Sequence, residues 1–262
     1  MDLGIRGRRA IITGASKGIG LAIAKALAAE GVDVAIVARS GDALEREARA
    51  LQDAHGVRAV PIAADLSNAD ELAAAVAKAT AELGGIDILV NNAGAIPAGS
   101  LGAVEDDVVH EAWELKLHGY MRMARAVLPG MREQSWGRII NITGMAGIQP
   151  SAGYIFGGPA NAALMNFTKG LALDAAKDGV LVNSVNPGPI QTERYNEMAA
   201  TRAGEAGISA DEQIARQAKG IPMGRVGRPE EVADVTAFFC SERCTFVAGA
   251  VVPVAGGVGS VL

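Results

Sequence analysis

Apolar and polar positions along this chain fall into blocks. Seven short runs are apolar nearly throughout: Arg9–Thr13, Val32–Ala38, Val57–Ile62, Ile86–Asn91, Gly137–Ile142, Val180–Val185 and Ala250–Val254. Runs of that kind predict strands buried on both faces. Between them lie stretches with apolar residues at helical spacing: Gly20–Glu30, Asp42–His55, Asn68–Leu83, Glu105–Arg132, Ala160–Lys177 and Glu230–Cys240. The first carries its apolar face on Leu21, Ile23, Ala24 and Leu27, and Gly31 ends it. Ser67 or Asn68 caps the third, and the long fourth is expected to break near His118-Gly119.

Strands alternating with helices predict a single-domain α/β fold. Its sheet is doubly wound and parallel, with about seven strands and helices on both faces. No linker divides residues 1–262. One segment, 191–220, breaks the alternation; it is polar and Ala-rich. At the C-terminal edge of a sheet it reads either as a lid over a cleft or as a surface helical pair.

Composition narrows the functional classes. Half of the 262 residues are hydrophobic but only 4% are aromatic, so small side chains allow helices to pack closely on the sheet. A net charge of −5, without a Lys/Arg run, argues against a general nucleic-acid binder. No apolar stretch approaches 20 residues and the N-terminus lacks a signal-peptide core, so the expectation is a cytoplasmic protein without a membrane span. Cys240 and Cys244, four apart on an expected helix, read as reduced structural thiols. The three histidines lack metal spacing, and no metal is expected.

The candidate chemistry begins at Thr13-Gly14-Ala15-Ser16-Lys17-Gly18-Ile19-Gly20. A strand precedes it and a helix follows. In that setting glycines let backbone N–H groups approach a pyrophosphate, and the helix N-terminus adds partial positive charge. A plain tight turn uses the same residues.

Further motifs follow in order: Asp65-Leu66, Asn91-Asn92-Ala93-Gly94, Asn186-Pro187-Gly188-Pro189-Ile190-x-Thr192, Gly224-Arg225-x-Gly227-x-Pro229-Glu230-Glu231 and Ala255-Gly256-Gly257. Together, over nearly the whole chain, they resemble the short-chain dehydrogenase/reductase family. The resemblance implies a Rossmann domain binding NAD or NADP. It puts Asp65 beside the adenine, Asn92, Ala93 and Gly94 beside the adenosine ribose, and Ile190 and Thr192 at the nicotinamide carboxamide. Leu66, Thr143, Pro187 and Gly188 complete the implied cofactor contacts. An NAD site usually ends its second strand with an acid that grips the ribose 2′-hydroxyl. Here that position is Ala38, followed by Arg39, with Lys17 in the glycine loop; NADP(H) is therefore expected over NAD(H).

The same resemblance implies a Tyr-x3-Lys pair, a Ser thirteen residues before the Tyr, and an Asn on the preceding long helix. In this sequence the Ser position is Gly144, the Tyr position Gly157, the Lys position Asn161 and the Asn position Lys116. Independently of alignment, none of Tyr120, Tyr154 and Tyr195 has a Lys four residues later.

Three readings are open. In the first, a rearranged oxidoreductase, Tyr154 folds into the room left by Gly157-Gly158, and the Lys116 ammonium lowers its pKa. The second is a redox-neutral lyase or isomerase on the same scaffold, and the third an NADP(H) sensor or partner subunit without catalysis. For the substrate cleft, Ile96, Met145, Tyr154, Phe156, Pro189, Tyr195 and Met198 suggest an apolar carbonyl compound; Lys116 and Arg194 leave room for an anion. The resemblance further implies a homodimer or homotetramer, with Val251–Val254, Val258 and Val261-Leu262 as candidate buried surface.

Overall fold

The computed structural model describes residues 2–259; Val261-Leu262 lie outside them. Seven strands form one parallel sheet in the order β3-β2-β1-β4-β5-β6-β7. They are β1 Arg9–Thr13, β2 Asp33–Ala38, β3 Ala59–Ala63, β4 Ile88–Asn91, β5 Gly137–Ile142, β6 Val180–Pro187 and β7 Val251–Val254. The chain runs outward from β1 to β3, then returns to pair β4 on the other side of β1. That reversal opens a crevice at the C-terminal ends of β1 and β4, where open α/β sheets bind ligands.

Helices cover both faces. On one lie α1 Gly18–Ala29, α2 Gly41–His55 and α9 Pro229–Cys240, around a core that includes Ile12, Ile23, Leu27, Ile36, Leu44 and Phe239. On the other lie α3 Ala69–Leu83, α5 Gly119–Glu133 and α6 Gly157–Ala175, around Ile11, Leu72, Val127, Met131 and Ile139. Every β5 residue is buried, as a strand between two helical layers requires.

Several boundaries differ from the expectations. Asn68 caps α3, its Oδ1 accepting the N–H groups of Asp70 and Glu71, while Ser67 turns to Asp65. The long helix is interrupted near His118-Gly119, as expected, by a change of helix type and not by a loop. It runs as α4 Asp106–Trp113, a π-helical turn Glu114–His118, and α5. The Glu114 carboxylate spans that turn, 2.6 Å from His118 Nδ1 and 2.7 Å from Arg122 Nη1. α6 begins three residues early, at Gly157, because two glycines and Pro159 fit a first turn whose N–H groups need no helical acceptor. Cys240 ends α9 but Cys244 lies past it; both are buried free thiols. Residues 191–220 form a helical pair, α7 Glu193–Ala206 and α8 Ala210–Lys219. β7 is an edge strand, half-buried apart from exposed Pro253.

Among the described residues, no helix is long and apolar enough to cross a membrane, and no cluster of His, Cys, Asp and Glu could hold a metal ion.

Candidate active site

Two cavities meet at the C-terminal edge of the sheet. The first, about 620 Å³, runs from the glycine turn across the ends of β1, β2 and β4. Its walls include Gly14, Ser16, Lys17, Gly18 and Ile19, then Arg39, Asp65 and Leu66, then Asn92, Ala93 and Gly94, and finally Thr143, Pro187, Gly188 and Thr192. The second, about 630 Å³, lies under α7 and α8. Lys116, Thr143, Pro187, Gly188 and Arg194 line both.

The first cavity is built by backbone. Gly14 has φ +65°, and a Cβ there would lie 2.9 Å from Ala93 Cα. A Cβ on Gly20 would overlap the Gly14 carbonyl. The turn is knitted to β4 through Thr13 Oγ1, which accepts the N–H groups of Asn92 and Ala93 at 2.9 and 3.0 Å. Asn92 Nδ2 in turn donates to the Thr13 and Gly14 carbonyls. Side chains in either glycine's place would force these strands apart.

Not every expected cofactor residue lines this cleft. Gly20 lies beneath it, fixing the turn. Ile190, expected at the carboxamide, is buried and pairs with Gly227 in an isolated bridge; its side chain faces a smaller cavity on the other side. Thr192 does line the cleft, where its hydroxyl caps α7. Asp65 accepts both the N–H and the hydroxyl of Ser67, and these bonds hold its carboxyl below the usual range. Arg39 is exposed and forms no ion pair among the described residues, although its charge acts on Asp65, and Lys17 does not join it. Lys17 Nζ pairs instead with Glu193 Oε2 at 2.8 Å, a contact between the glycine turn and the first turn of α7. The helix α7 is tied a second time, by Arg194, which donates to the carbonyls of Gly94 and Ile96.

Side chains shape the second cavity. A Cβ on Gly157 would overlap the Tyr154 ring, so the tyrosine occupies the room that a side chain at 157 would take. Tyr154 Oη hydrogen-bonds to no group among the described residues. Burial raises its pKa, and the opposing charge is Arg194, not Lys116. The expected lowering of this phenol by Lys116 is therefore corrected: desolvation outweighs the nearby charge.

Lys116 comes from the π-helical turn. Its stem crosses Gly94, where a Cβ would lie 2.9 Å from Lys116 Cδ, and Nζ lies 3.5 Å from the Thr143 carbonyl and 5.8 Å from the Tyr120 ring centre. Among the described residues no carboxylate pairs with it. Desolvation, aided by Arg194, brings its pKa down to about 8. Asn161 donates from Nδ2 to the Gly157 carbonyl at 2.8 Å, while its buried Oδ1 has no partner among the described residues. Gly144 leaves Asn161 that position, since a Cβ there would be 3.3 Å from Nδ2.

Comparison with known proteins places this architecture. A family model described as enoyl-(acyl carrier protein) reductase matches residues 14–259. The 3-oxoacyl-(acyl-carrier-protein) reductase FabG of Pseudomonas aeruginosa is 36% identical over 256 residues, spanning 98% of this chain and 99% of the relative. The chain belongs to the short-chain dehydrogenase/reductase family. The D-beta-hydroxybutyrate dehydrogenase of Cupriavidus necator is likewise 36% identical, across 97% of this chain and 98% of that one. Among solved structures, L-sorbose reductase from Gluconobacter frateurii, complexed with NADPH and L-sorbose, superposes with a TM-score of 0.96 at 37% identity, and each chain is covered in full.

For this short-chain dehydrogenase/reductase, the structure sorts the expected substrate contacts. Met145, Tyr154, Pro189, Tyr195 and Met198 line the second cavity. Ile96 and Phe156 do not; they pack with Ala112, Trp113 and Ala160 in a satellite core. Unforeseen in the lining are Gln217 and Arg202 from the helical pair, and Ser40, Leu115 and Glu193 in the dinucleotide cleft. Glu193 and Arg202 carried a legible signal, as charged residues of a segment that breaks the α/β alternation.

The dinucleotide expected of this family fits what is present. The turn leaves no room for a side chain at Gly14 or Gly20, and Arg39 lines the cleft exposed, without an ion-pair partner among the described residues.

Proposed function

We propose that this protein is an NADP(H)-dependent oxidoreductase that interconverts an apolar carbonyl compound and its alcohol, with Lys116 moving the proton. The observation that carries this reading is Lys116. Its uncompensated ammonium, with a pKa of about 8, lies on the wall common to both cavities. A proton donor tuned close to neutral pH at a reacting oxygen is what general acid catalysis needs. The kinds of protein it resembles, reductases and a dehydrogenase, agree.

When bound, the cofactor would supply or accept the hydride. In reduction, Lys116 Nζ gives its proton to the carbonyl oxygen as charge develops there, and solvent restores it. The Tyr154 hydroxyl, kept protonated by burial, donates a hydrogen bond to the same oxygen. Gly14, Ser16, Gly18 and Ile19 would hold the pyrophosphate, and Arg39 the 2′-phosphate. The pair α7–α8 acts as a lid, tied down by Lys17–Glu193 and by Arg194 on the Gly94 and Ile96 carbonyls. We also carry forward a homodimer or homotetramer; half-buried β7 and exposed Phe238 and Phe246 favour it, and light scattering tests it.

The sign of the pH dependence follows from Lys116. Reduction requires the ammonium, so kcat/KM falls as pH rises through about 8; oxidation requires the amine and rises through the same value. Lys116→Ala lowers turnover by about 10²–10⁴-fold and removes that limb. Lys116→Arg moves the limb out of reach. An unchanged rate and limb in Lys116→Ala overturn the assignment. Tight NADPH binding without turnover on a broad carbonyl panel would favour the sensor. Product formed at constant nicotinamide absorbance would favour redox-neutral chemistry. Tighter binding of NADH than of NADPH would overturn the cofactor preference.

A further inference from the structure

The second cavity has an uneven charge distribution. Among the described residues, three cationic side chains line it, Lys116, Arg194 and Arg202, and no Asp or Glu does. They differ in what they already hold. Lys116 stands at the boundary with the dinucleotide cleft. Arg194 has committed both amino groups to the carbonyls of Gly94 and Ile96. Arg202 is exposed at the mouth and has neither a carboxylate nor a carbonyl partner among the described residues. It adjoins Tyr195, on whose hydroxyl its charge acts.

The spacing along α7 gives this set a direction. Arg194, Met198 and Arg202 are four residues apart, so they form one stripe on the helix face that lines the cavity. Eight residues of helix separate the outer cation from the inner by about 12 Å. Met198 fills the stripe between them, and Met145, Ile221 and Val258 provide further apolar wall. The cavity is thus apolar in the middle, with a proton donor at one end and, at the other, a guanidinium that has no ion-pair partner among the described residues.

We propose that the substrate is an amphipathic oxo acid: a carbonyl group placed against Lys116, an apolar chain along Met198, and a carboxylate at the mouth paired with Arg202. Arg202 is then a specificity-determining residue. A guanidinium binds a carboxylate through two parallel N–H donors and is stronger than a neutral donor, so the acid is selected over its uncharged analogues. The proposal rests on the carbonyl reading of the site above, but its test does not need turnover.

The test is calorimetric titration of octanoate and of octanamide into the NADPH-saturated protein. The two probes share an apolar chain and differ in charge. Octanoate is expected to bind at least about tenfold more tightly than octanamide. Arg202→Met should close that gap by weakening octanoate, and Arg202→Lys should restore part of it, at less than the guanidinium's strength. Equal affinity of the two probes for the wild-type protein overturns the proposal. So does an equal loss of both in Arg202→Met, which would mean a packing role, or no octanoate binding up to about 5 mM. If the affinity gap is present and Arg202-dependent while no carbonyl compound is reduced, the acid site stands and the oxidoreductase reading falls.

Discussion

The two cavities of this protein are made in different ways. The first cavity is held by main chain: glycines with no room for a Cβ, a helix N-terminus, and strand ends locked by Thr13 and Asn92. The second cavity is shaped by side chains: Tyr154 lying where Gly157 leaves room, and Lys116 reaching across Gly94. A backbone site tolerates few substitutions, because the scaffold and the site are the same atoms. A side-chain site can be rearranged while the sheet beneath it stays unchanged. On the motif spacing, which puts the family's Ser, Tyr and Lys positions at Gly144, Gly157 and Asn161, that difference would let the second cavity diverge while the glycine turn stays in order.

The sharpest way to break that contrast is Gly20→Ala. The added methyl would collide with the Gly14 carbonyl and come within 2.5 Å of Asn92 Nδ2. Neither can yield without opening the β1–β4 junction. Overpacking of that kind costs about 1–3 kcal/mol of stability. Two misaligned phosphate hydrogen bonds weaken NADPH binding by at least about 100-fold. Titration with NADPH and thermal unfolding read both effects; wild-type affinity in the variant would mean that the turn is less constrained than its geometry states.

Gly157→Ala makes the opposite claim for the other cavity. Its methyl displaces the Tyr154 ring, so turnover should fall by about 10–100-fold, within the range of a positioned proton-relay or hydrogen-bonding group. NADPH affinity should change less than about threefold, because Gly157 does not line the dinucleotide cleft. Parallel loss of affinity and turnover would show that the two halves are one unit.

The same contrast governs what the sequence made legible. The fold and the glycine turn were readable because their signals are local: apolar runs for buried strands and glycines at the switch point. Lys116 and Tyr154 were readable as candidates, but their electrostatics were not. Whether burial or a neighbouring charge governs a phenol depends on which elements enclose it, and here desolvation prevails at Tyr154. Ile96 and Phe156 were misplaced because an apolar loop residue can face a cleft or a satellite core with equal periodicity. The partner of Lys17 was hidden for a similar reason. Glu193 is 176 positions away, brought over only by the return of β6 and the start of α7.

That pairing yields the smallest effect and the finest test of how the halves communicate. Lys17 and Glu193 are both largely exposed, with side-chain accessibilities of 56% and 67%. An ion pair this exposed contributes little to stability and is screened by salt. Its effect is instead on availability: while Glu193 holds Lys17, the ammonium offers less to a phosphate in the cleft. Glu193→Gln removes the competing charge and, with it, an anion beside the phosphate path. NADPH binding should therefore tighten by about two- to fivefold at low ionic strength, and the gain should vanish near 1 M salt, where the screening length is about 3 Å. Lys17→Ala should move affinity the other way by a similar factor. The alternative is that Glu193 serves chiefly to hold α7 over the cofactor. In that case Glu193→Gln would loosen the lid and weaken NADPH, so the direction of the change decides which side of the molecule this ion pair serves.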